Sequence, residues 1–556
     1  MVRATFSGFN TALSALQANQ KRLDITGQNL SNMNTAGYTR QQLEASSLNY
    51  TNPVSHYSNG NETAVGFGVS MDRVSQIRDP YLDIQYRSQS ADCSYTNRLQ
   101  TALNSLSKVL DETTISGIRK AFDDVQSTLT SMQDPAKVSD PIYESELRTK
   151  MQSVCNLFNQ ASRQITQAEQ NEFQRLTGEG SSEQGDVQKI NDILRQIGDL
   201  NVQIKRNQVA GHPSLELQDE RNLLLDELSG YIPVETRYYK DDAHSGNNAY
   251  DYDANGAVIG KKDWPDDLEV SMNYIDAQGK SQKLILVNGS DLGADGLTKN
   301  YGQLSVLKGN NHQITASVSD PTNISIKFEK APSYQVNGQA ATDVYAELKG
   351  IHFEGGSLQA SLDMLQKKGT GNVINGSVDD VRGYQYYSEK LDQLADTFAK
   401  SMNASNNGNN HKDQNLLSNS TDDSTNGITA GNIGISKGWT SGTIHISTDG
   451  TNRTDTILDM IAAMKDTKKL NGKTFADYMN NLSTQLASDS SSNQTALKTG
   501  TTVLNSIQDS RDSLSGVSLD EEATNMMAYV SAYNAASRLM TALDEVLNTL
   551  ISNTGA

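Results

Sequence analysis

The chain has 556 residues, of which 36% are hydrophobic and 20% charged, and a formal net charge of −19. That balance excludes a nucleic-acid surface, which needs clustered Lys and Arg, and disfavours binding to anionic membranes. No apolar run approaches the roughly 18 residues that span a bilayer, and the length admits about three to four domains with thin cores.

The first element is a helix from about Ser7 to Asn34. Phe9, Leu13, Leu16, Gln20, Leu23, Gly27 and Leu30 recur at spacings of 4 and 3, which is how helices pack along their length. The N-terminal stretch, MVRATFSGFNTALSAL, has no apolar h-region, so a Sec signal is not expected. Tyr38 to about Asp79 reads as an extended connector with a short strand around Val65 to Val74.

Helices follow. Asp79-Pro80 fits a helix start with Pro at its first position. That helix carries Leu99, Leu103, Leu106 and Leu110, and the next carries Ile118, Phe122, Val125, Leu129 and Met132. The longest regular seam runs Leu147, Met151, Val154, Phe158, Ala161, Ile165 and Ala168, and two more seams lie at Val187 to Ile204 and Leu217 to Leu228. Each is apolar on one stripe only, as bundle helices are.

From about Tyr231 to Asn375 the period changes. Runs at Leu268–Ile275, Lys283–Val287, Ile314–Val318 and Ile324–Phe328 read as strands, the first two joined by a hairpin at Asp276-Ala-Gln-Gly279. Helical periodicity returns at Val378. Asn403 to Thr425 reads as a polar loop, Ile428 to Ser447 as short strands, and Ile457–Met464, Phe475–Leu486 and a further stretch to Leu514 as helices. After Ser515-Gly516, Ser518 and Glu521 have capping-box spacing. The last helix carries one seam of Val530, Tyr533, Met540 and Leu547, and a second line of Leu539, Leu543, Val546 and Leu550. A helix apolar over that much of its circumference requires partners on more than one side.

The fold class is therefore multidomain α+β: an elongated helical bundle built from N- and C-terminal segments, with an inserted β-rich arm. The expected divisions are 1–50, an N-terminal helix; 51–230, the first part of the bundle; 231–375, the arm; 376–514, the second part of the bundle; and 515–556, a C-terminal helix. The two end helices pair, bringing Leu13, Leu16, Leu23 and Leu30 to Val530, Tyr533, Met540, Leu543 and Leu547 as an assembly interface. Charge supports this: residues 1–40 carry net +3 and residues 519–556 net −4.

Candidate chemistry is sparse. Gly434-Ile-Ser436-Lys-Gly438 matches a nucleophile elbow, which needs a strand before it and a helix after it. Thr443 to Ser447 reads instead as a strand, and the match is assigned to chance. Asp251-Tyr-Asp253-Ala-Asn255-Gly256 opens like a calcium loop, but Lys262 stands where a bidentate Glu belongs, and a tight turn at Asn255-Gly256 is the better reading. Seven scattered His residues include no H-x-x-x-H pair. Cys93 and Cys155, both in helices, read as buried thiols. No catalytic residue, metal or cofactor is expected.

Two segments go further. NTALSALQANQKRLDITGQNLSNMNTAGYTRQ, above all Asn29 through Asn32 with Gly37 and Tyr38, resembles the N-terminal signature of axial proteins of the bacterial flagellum. GYTRQ and the C-terminal SGVSLDEEATNMMAYVSAYNAASRLMTALDEVLNTLI point to their hook-associated branch. The stretch TAGNIGISKGW is similar to that family as well, and residues 231–375 are not covered. The resemblance implies a non-enzymatic structural protein, exported by type III secretion without a cleaved signal and extracellular on the flagellum. It implies a homo-oligomeric ring at the hook–filament junction, touching hook protein and the second hook-associated protein. It also implies a cytoplasmic export chaperone on the C-terminal helix, and no nucleic acid or membrane. A second junction protein, a flagellin-like protein, or a binding module carried on the arm are the alternatives.

Overall fold

A computed structural model describes residues 7–554 apart from 49–67, 111–116, 139, 241–249, 253–257, 262–265, 276–278, 290–299, 309–323, 330–334, 337–338, 341–344, 349–351, 375–376, 409–412 and 448–453. The expected strand at Ile314–Val318 and the turn at Asn255-Gly256 lie outside the described residues.

Helix α1 (Ser7–Ser31) leads into an antiparallel hairpin of β1 (Gln41–Ser47) and β2 (Val69–Gln76). Next come α2 (Pro80–Leu110), α3 (Ile118–Ser131), the single turn α4 (Pro135–Val138), α5 (Pro141–Thr177), α6 (Asp186–Val209) and α7 (Leu215–Tyr231). The punctuation is local. Asp140 caps α5 by accepting from the Ile142 N–H, and Gly178 ends it in the left-handed conformation.

The β-rich segment holds β3 (Glu235–Lys240), β4 (Tyr250–Tyr252), β5 (Val258–Lys261), β6 (Asp266–Ile275), β7 (Ser281–Asn288), β8 (Gln303–Lys308), β9 (Ile324–Glu329), β10 (Gln335–Val336), β11 (Gln339–Ala340), β12 (Tyr345–Leu348) and β13 (His352–Phe353). β6 is central, pairing antiparallel with β3, β7 and β13, while β9 pairs with β8 and β12. The 268–275 and 283–287 strands are thus joined in the expected hairpin.

This segment is not an appendage on a stalk. Leu268, Val270, Met272, Leu286, Val306 and Phe328 belong to the same core as the helices. Asparagines of α6 fasten the sheets: Asn201 donates to the carbonyls of Leu268 and Gly289, and Asn191 to that of Leu304. A helix, α8 (Gly356–Gln366), lies inside the stretch read as β-rich. Its Leu358, Ala360, Met364 and Leu365 are fully buried, and it packs on α2, so helical packing begins before residue 375.

After β14 (Val373–Ile374) and β15 (Ser377–Val378), α9 (Tyr384–Asn406) returns to the bundle. Phe122, Phe158, Phe398 and Phe475 form its aromatic centre, with ring centroids 5.1–5.9 Å apart. The stretch from Asn403, read as a polar loop, begins as the last turn of α9 and contributes buried residues at Asn403, Asn406 and Leu416–Asn419. Asn403 accepts from the backbone N–H groups of Leu416 and Leu417 and donates to the Leu417 carbonyl. Asn406 donates to the Gln414 carbonyl. Buried Asn side chains replace backbone partners here, so polarity signals a satisfied interior rather than solvent.

β16 (Leu417–Asn419) pairs with β17 (Ile433–Ile435), followed by the one-turn helix α10 (Lys437–Ser441). Residues 443–447, expected as a strand, are irregular. Then come α11 (Asp455–Lys465), α12 (Phe475–Ser515) and α13 (Leu519–Thr554). α12 is one continuous helix where two were expected, and only its first three turns enter the core, through Phe475, Tyr478, Met479, Leu482 and Leu486.

Candidate assembly surface and the joint beneath it

The chain ends do meet. α1 and α13 pack along each other, and neither belongs to the hydrophobic core of the rest. The pair buries little completely: Ala12, Ala18, Ile25 and Ala536 are its fully buried apolar side chains among the described residues.

The structure sorts the nine residues expected at the interface. Leu16, Leu23 and Leu30 are half-buried, as are Tyr533, Met540, Leu543 and Leu547. Leu543 belongs to the seam with α1, since a Cβ on Gly8 would lie 3.4 Å from it. Two residues differ. Leu13 is 46% exposed and Val530 42% exposed. On a 3.6-residue helix the seam side runs Met526, Tyr529, Tyr533, Ala536, Met540, Leu543 and Leu547, and Val530 falls about 100° away from its centre. The 3-and-4 spacing marks an apolar line along each end helix, but several phases fit a helix this rich in apolar residues.

Both flanks of that seam are apolar and uncovered. Leu539, Val546 and Leu550 lie on one flank at 48%, 61% and 51% exposure; Leu519 and Val530 lie on the other. Opposite the seam α13 is polar apart from Met527 and a few alanines.

The pair is anchored at its base. Asn29 accepts from the Gln41 N–H and the Tyr38 hydroxyl and donates to the Gln41 carbonyl. Burial, then the carboxylates of Glu216, Asp219 and Glu522, push the Tyr38 hydroxyl well above its usual range, so it stays a donor. Gly37 is left-handed at φ 77°, with Leu223 so close that a Cβ would lie 2.2 Å from its Cδ1.

Charge completes the base. Arg40 pairs with Glu521 and with buried Glu522, both at 2.7 Å, and its backbone N–H donates to the Ser515 carbonyl. The acidic run after Ser518 therefore does more than cap α13: Glu521 turns to Arg40 rather than closing a capping box. Arg22 lies over the Tyr529 ring at 5.6 Å.

The chemical decoys resolve separately. Ser436 does sit between a strand and a helix, contrary to expectation. Its Oγ accepts from the Trp439 N–H as the cap of α10 and is 4% exposed, while His445 pairs with Glu144. Cys93 and Cys155 are unpaired and buried, and burial pushes the Cys155 thiol up to about 12. Among the described residues no group of His, Cys, Asp or Glu could hold a metal ion, and no helix is long and apolar enough to cross a membrane.

The family comparisons assign both terminal helices and the bundle to models of flagellar proteins. Residues 9–39 match the flagella basal body rod protein model, and 510–553 the C-terminal model of the flagellar basal body rod FlgEFG proteins. Residues 103–258 match the helical domain of flagellar hook-associated protein FlgK. Flagellar hook-associated protein 1 of Bacillus subtilis is 29% identical over 99% of both chains. Its Escherichia coli counterpart is 28% identical over 41% of this chain and 39% of its own. The flagellar hook junction protein FlgK from Burkholderia pseudomallei aligns at 20% identity and TM-score 0.38, over 60% of this chain and 44% of that one. Along its whole length the chain is similar to flagellar hook-associated protein 1.

Proposed function

We propose that this flagellar structural protein works by packing and not by catalysis, self-assembling through its terminal helices into the junction ring between hook and filament. The observation that carries the reading is the uncovered apolar surface on both flanks of the α1–α13 seam. A monomer gains nothing from exposing Leu539, Val546 and Leu550 in line, whereas a ring of parallel pairs buries one flank against each neighbour. At about 25 cal/mol per Å², each large side chain so buried contributes on the order of 1–2 kcal/mol. Hook protein and the second hook-associated protein are the axial neighbours in this reading. Before export, the same flanks suit a cytoplasmic chaperone that holds α13 as an amphipathic helix. The site of action is then extracellular, on the flagellum.

The test separates flank from seam. Leu539→Asp with Val546→Asp should leave the monomer's circular dichroism and melting unchanged yet abolish incorporation and motility in a strain lacking the native protein. Leu543→Asp should also loosen the α1–α13 pair in the monomer. Normal assembly of the flank double variant would overturn the proposal.

A further inference from the structure

The terminal unit joins the bundle through two crossings: Thr39 to Arg78, by way of the hairpin, and Ser515 to Ser518 between α12 and α13. What fills this joint is charge. Asp219 of α7 accepts from the Thr39 N–H at 3.0 Å and the Thr39 hydroxyl at 2.6 Å. Arg78 forks onto Asp83 of α2 at 2.5 and 3.1 Å, reaches Thr39 Oγ1 at 3.3 Å, and lies 3.8 Å from Asp219. Arg511, at the end of α12, grips Asp83 at 3.1 Å and Asp226 of α7 at 2.7 Å, with its guanidinium 4.3 Å from the Tyr86 ring centre. Arg87 holds Asp226 from α2 at 2.8 Å. All six of these charged side chains are at least four-fifths buried.

Beside them the joint is open. A cleft of about 840 Å³ runs between the terminal unit and the bundle, lined by Thr39, Arg78, Asp226, Arg511 and Gly516 among others. Helix α12 ends at Gly516, where a Cβ would lie 2.3 Å from the Asp512 carbonyl oxygen. A polar, underfilled interface over two narrow crossings is what moving units share. Directional hydrogen bonds and ion pairs define one angle well, but unlike an apolar core they can be exchanged for water when they part.

We propose that this joint is an ionic hinge latch. Asp219 clamps the root of the terminal unit through Thr39, Arg78 and Arg511 lock the surrounding elements, and release of the Asp219 clamp lets the α1–α13 pair swing against the bundle into the cleft. The inference is independent of what the terminal pair assembles with.

The experiment is a spin-label distance measurement on the full chain, with labels at Asn97→Cys on α2 and Ser531→Cys on the polar strip of α13. The parent chain serves as the labelling control for buried Cys93 and Cys155. The latch requires a narrow distribution in low salt, widening at least about twofold in Asp219→Asn and, in the wild type, in about 1 M salt, where screening reaches partly buried pairs. Asp219→Asn keeps the size of the side chain but turns one acceptor into a donor facing Thr39. Thermal melting followed at the bundle should stay unchanged in the variant. If Asp219→Asn does not fold, the salt arm decides. A distribution that is already broad in wild type at low salt, or one that stays narrow in every sample, overturns the proposal.

Discussion

Asn29 and Asp219 show how single polar side chains hold this protein's moving end. Asn29 is 1% exposed and ties the end of α1 to the start of β1 by two hydrogen bonds with Gln41, with a third from the Tyr38 hydroxyl, which is why an Asn in the N-terminal signature is more than a helix stop. Asp219 is held less comfortably: burial raises its carboxyl from the usual range to about 6, against the opposing pull of Thr39 and Arg78. The sign follows. The folded state takes up this proton between about pH 6 and 4, so the contribution is fully present below the unfolded value and lost as pH rises through 6, at most on the order of 3 kcal/mol. NMR titration should place this carboxyl near 6, and Arg78→Gln should move it higher. A value near 4 in both proteins would show that water reaches the group freely. Gly302 makes a steric counterpart. A Cβ there would lie 2.0 Å from the Phe328 ring, so Gly302→Ala should cost about 1–3 kcal/mol by overpacking, read from chemical denaturation.

At the scale of elements, the sequence made the helices legible and left their facing less so. The stripes at Leu147–Ala168 and Ile118–Met132 are single and unambiguous, and both face the core. α13 carries apolar residues over more than half its circumference, so periodicity alone could not place Val530 outside and Leu543 inside. α8 was hidden for a different reason: Gly356–Gln366 is buried nearly all round, with Gln359, Ser361 and Asp363 inside as well as its apolar residues, so it shows no single apolar stripe, and it follows directly on strands. The Asn-rich stretch was misleading because composition cannot tell a solvated amide from one that satisfies buried backbone. Ion pairs between distant helices were likewise invisible. Arg98 on α2 meets Glu172 on α5 at 2.6 Å, both about 5% exposed, with Ser361 of α8 accepting from the same arginine. Removing one partner leaves a buried charge, so Glu172→Gln should destabilise the bundle by about 3–5 kcal/mol, measurable as a lower melting temperature.

The whole molecule is two bodies of packing joined by charge. One is a continuous apolar core that runs from α2 through the sheets to the first turns of α12. The other is the α1–α13 pair, whose fully buried apolar side chains are chiefly alanines. Burial sets local stability, so the two should not unfold together. An isolated helix pair that buries half-exposed leucines lacks the area that fixes the bundle, and its base is polar, so little cooperativity crosses the joint. Amides of α1 and α13 should therefore exchange with solvent at least about 100-fold faster than those of α5, a difference of about 3 kcal/mol in opening free energy. Limited proteolysis of the monomer should remove both ends and leave a resistant fragment that keeps α2 through most of α12. Assembly should reverse both results, because the flanks of α13 then acquire the partners that the monomer lacks. Uniform protection from α1 to α13, with a single melting transition in the free chain, would mean that the terminal pair is already stable alone. Its exposed leucines would then be surface and not an unfinished interface.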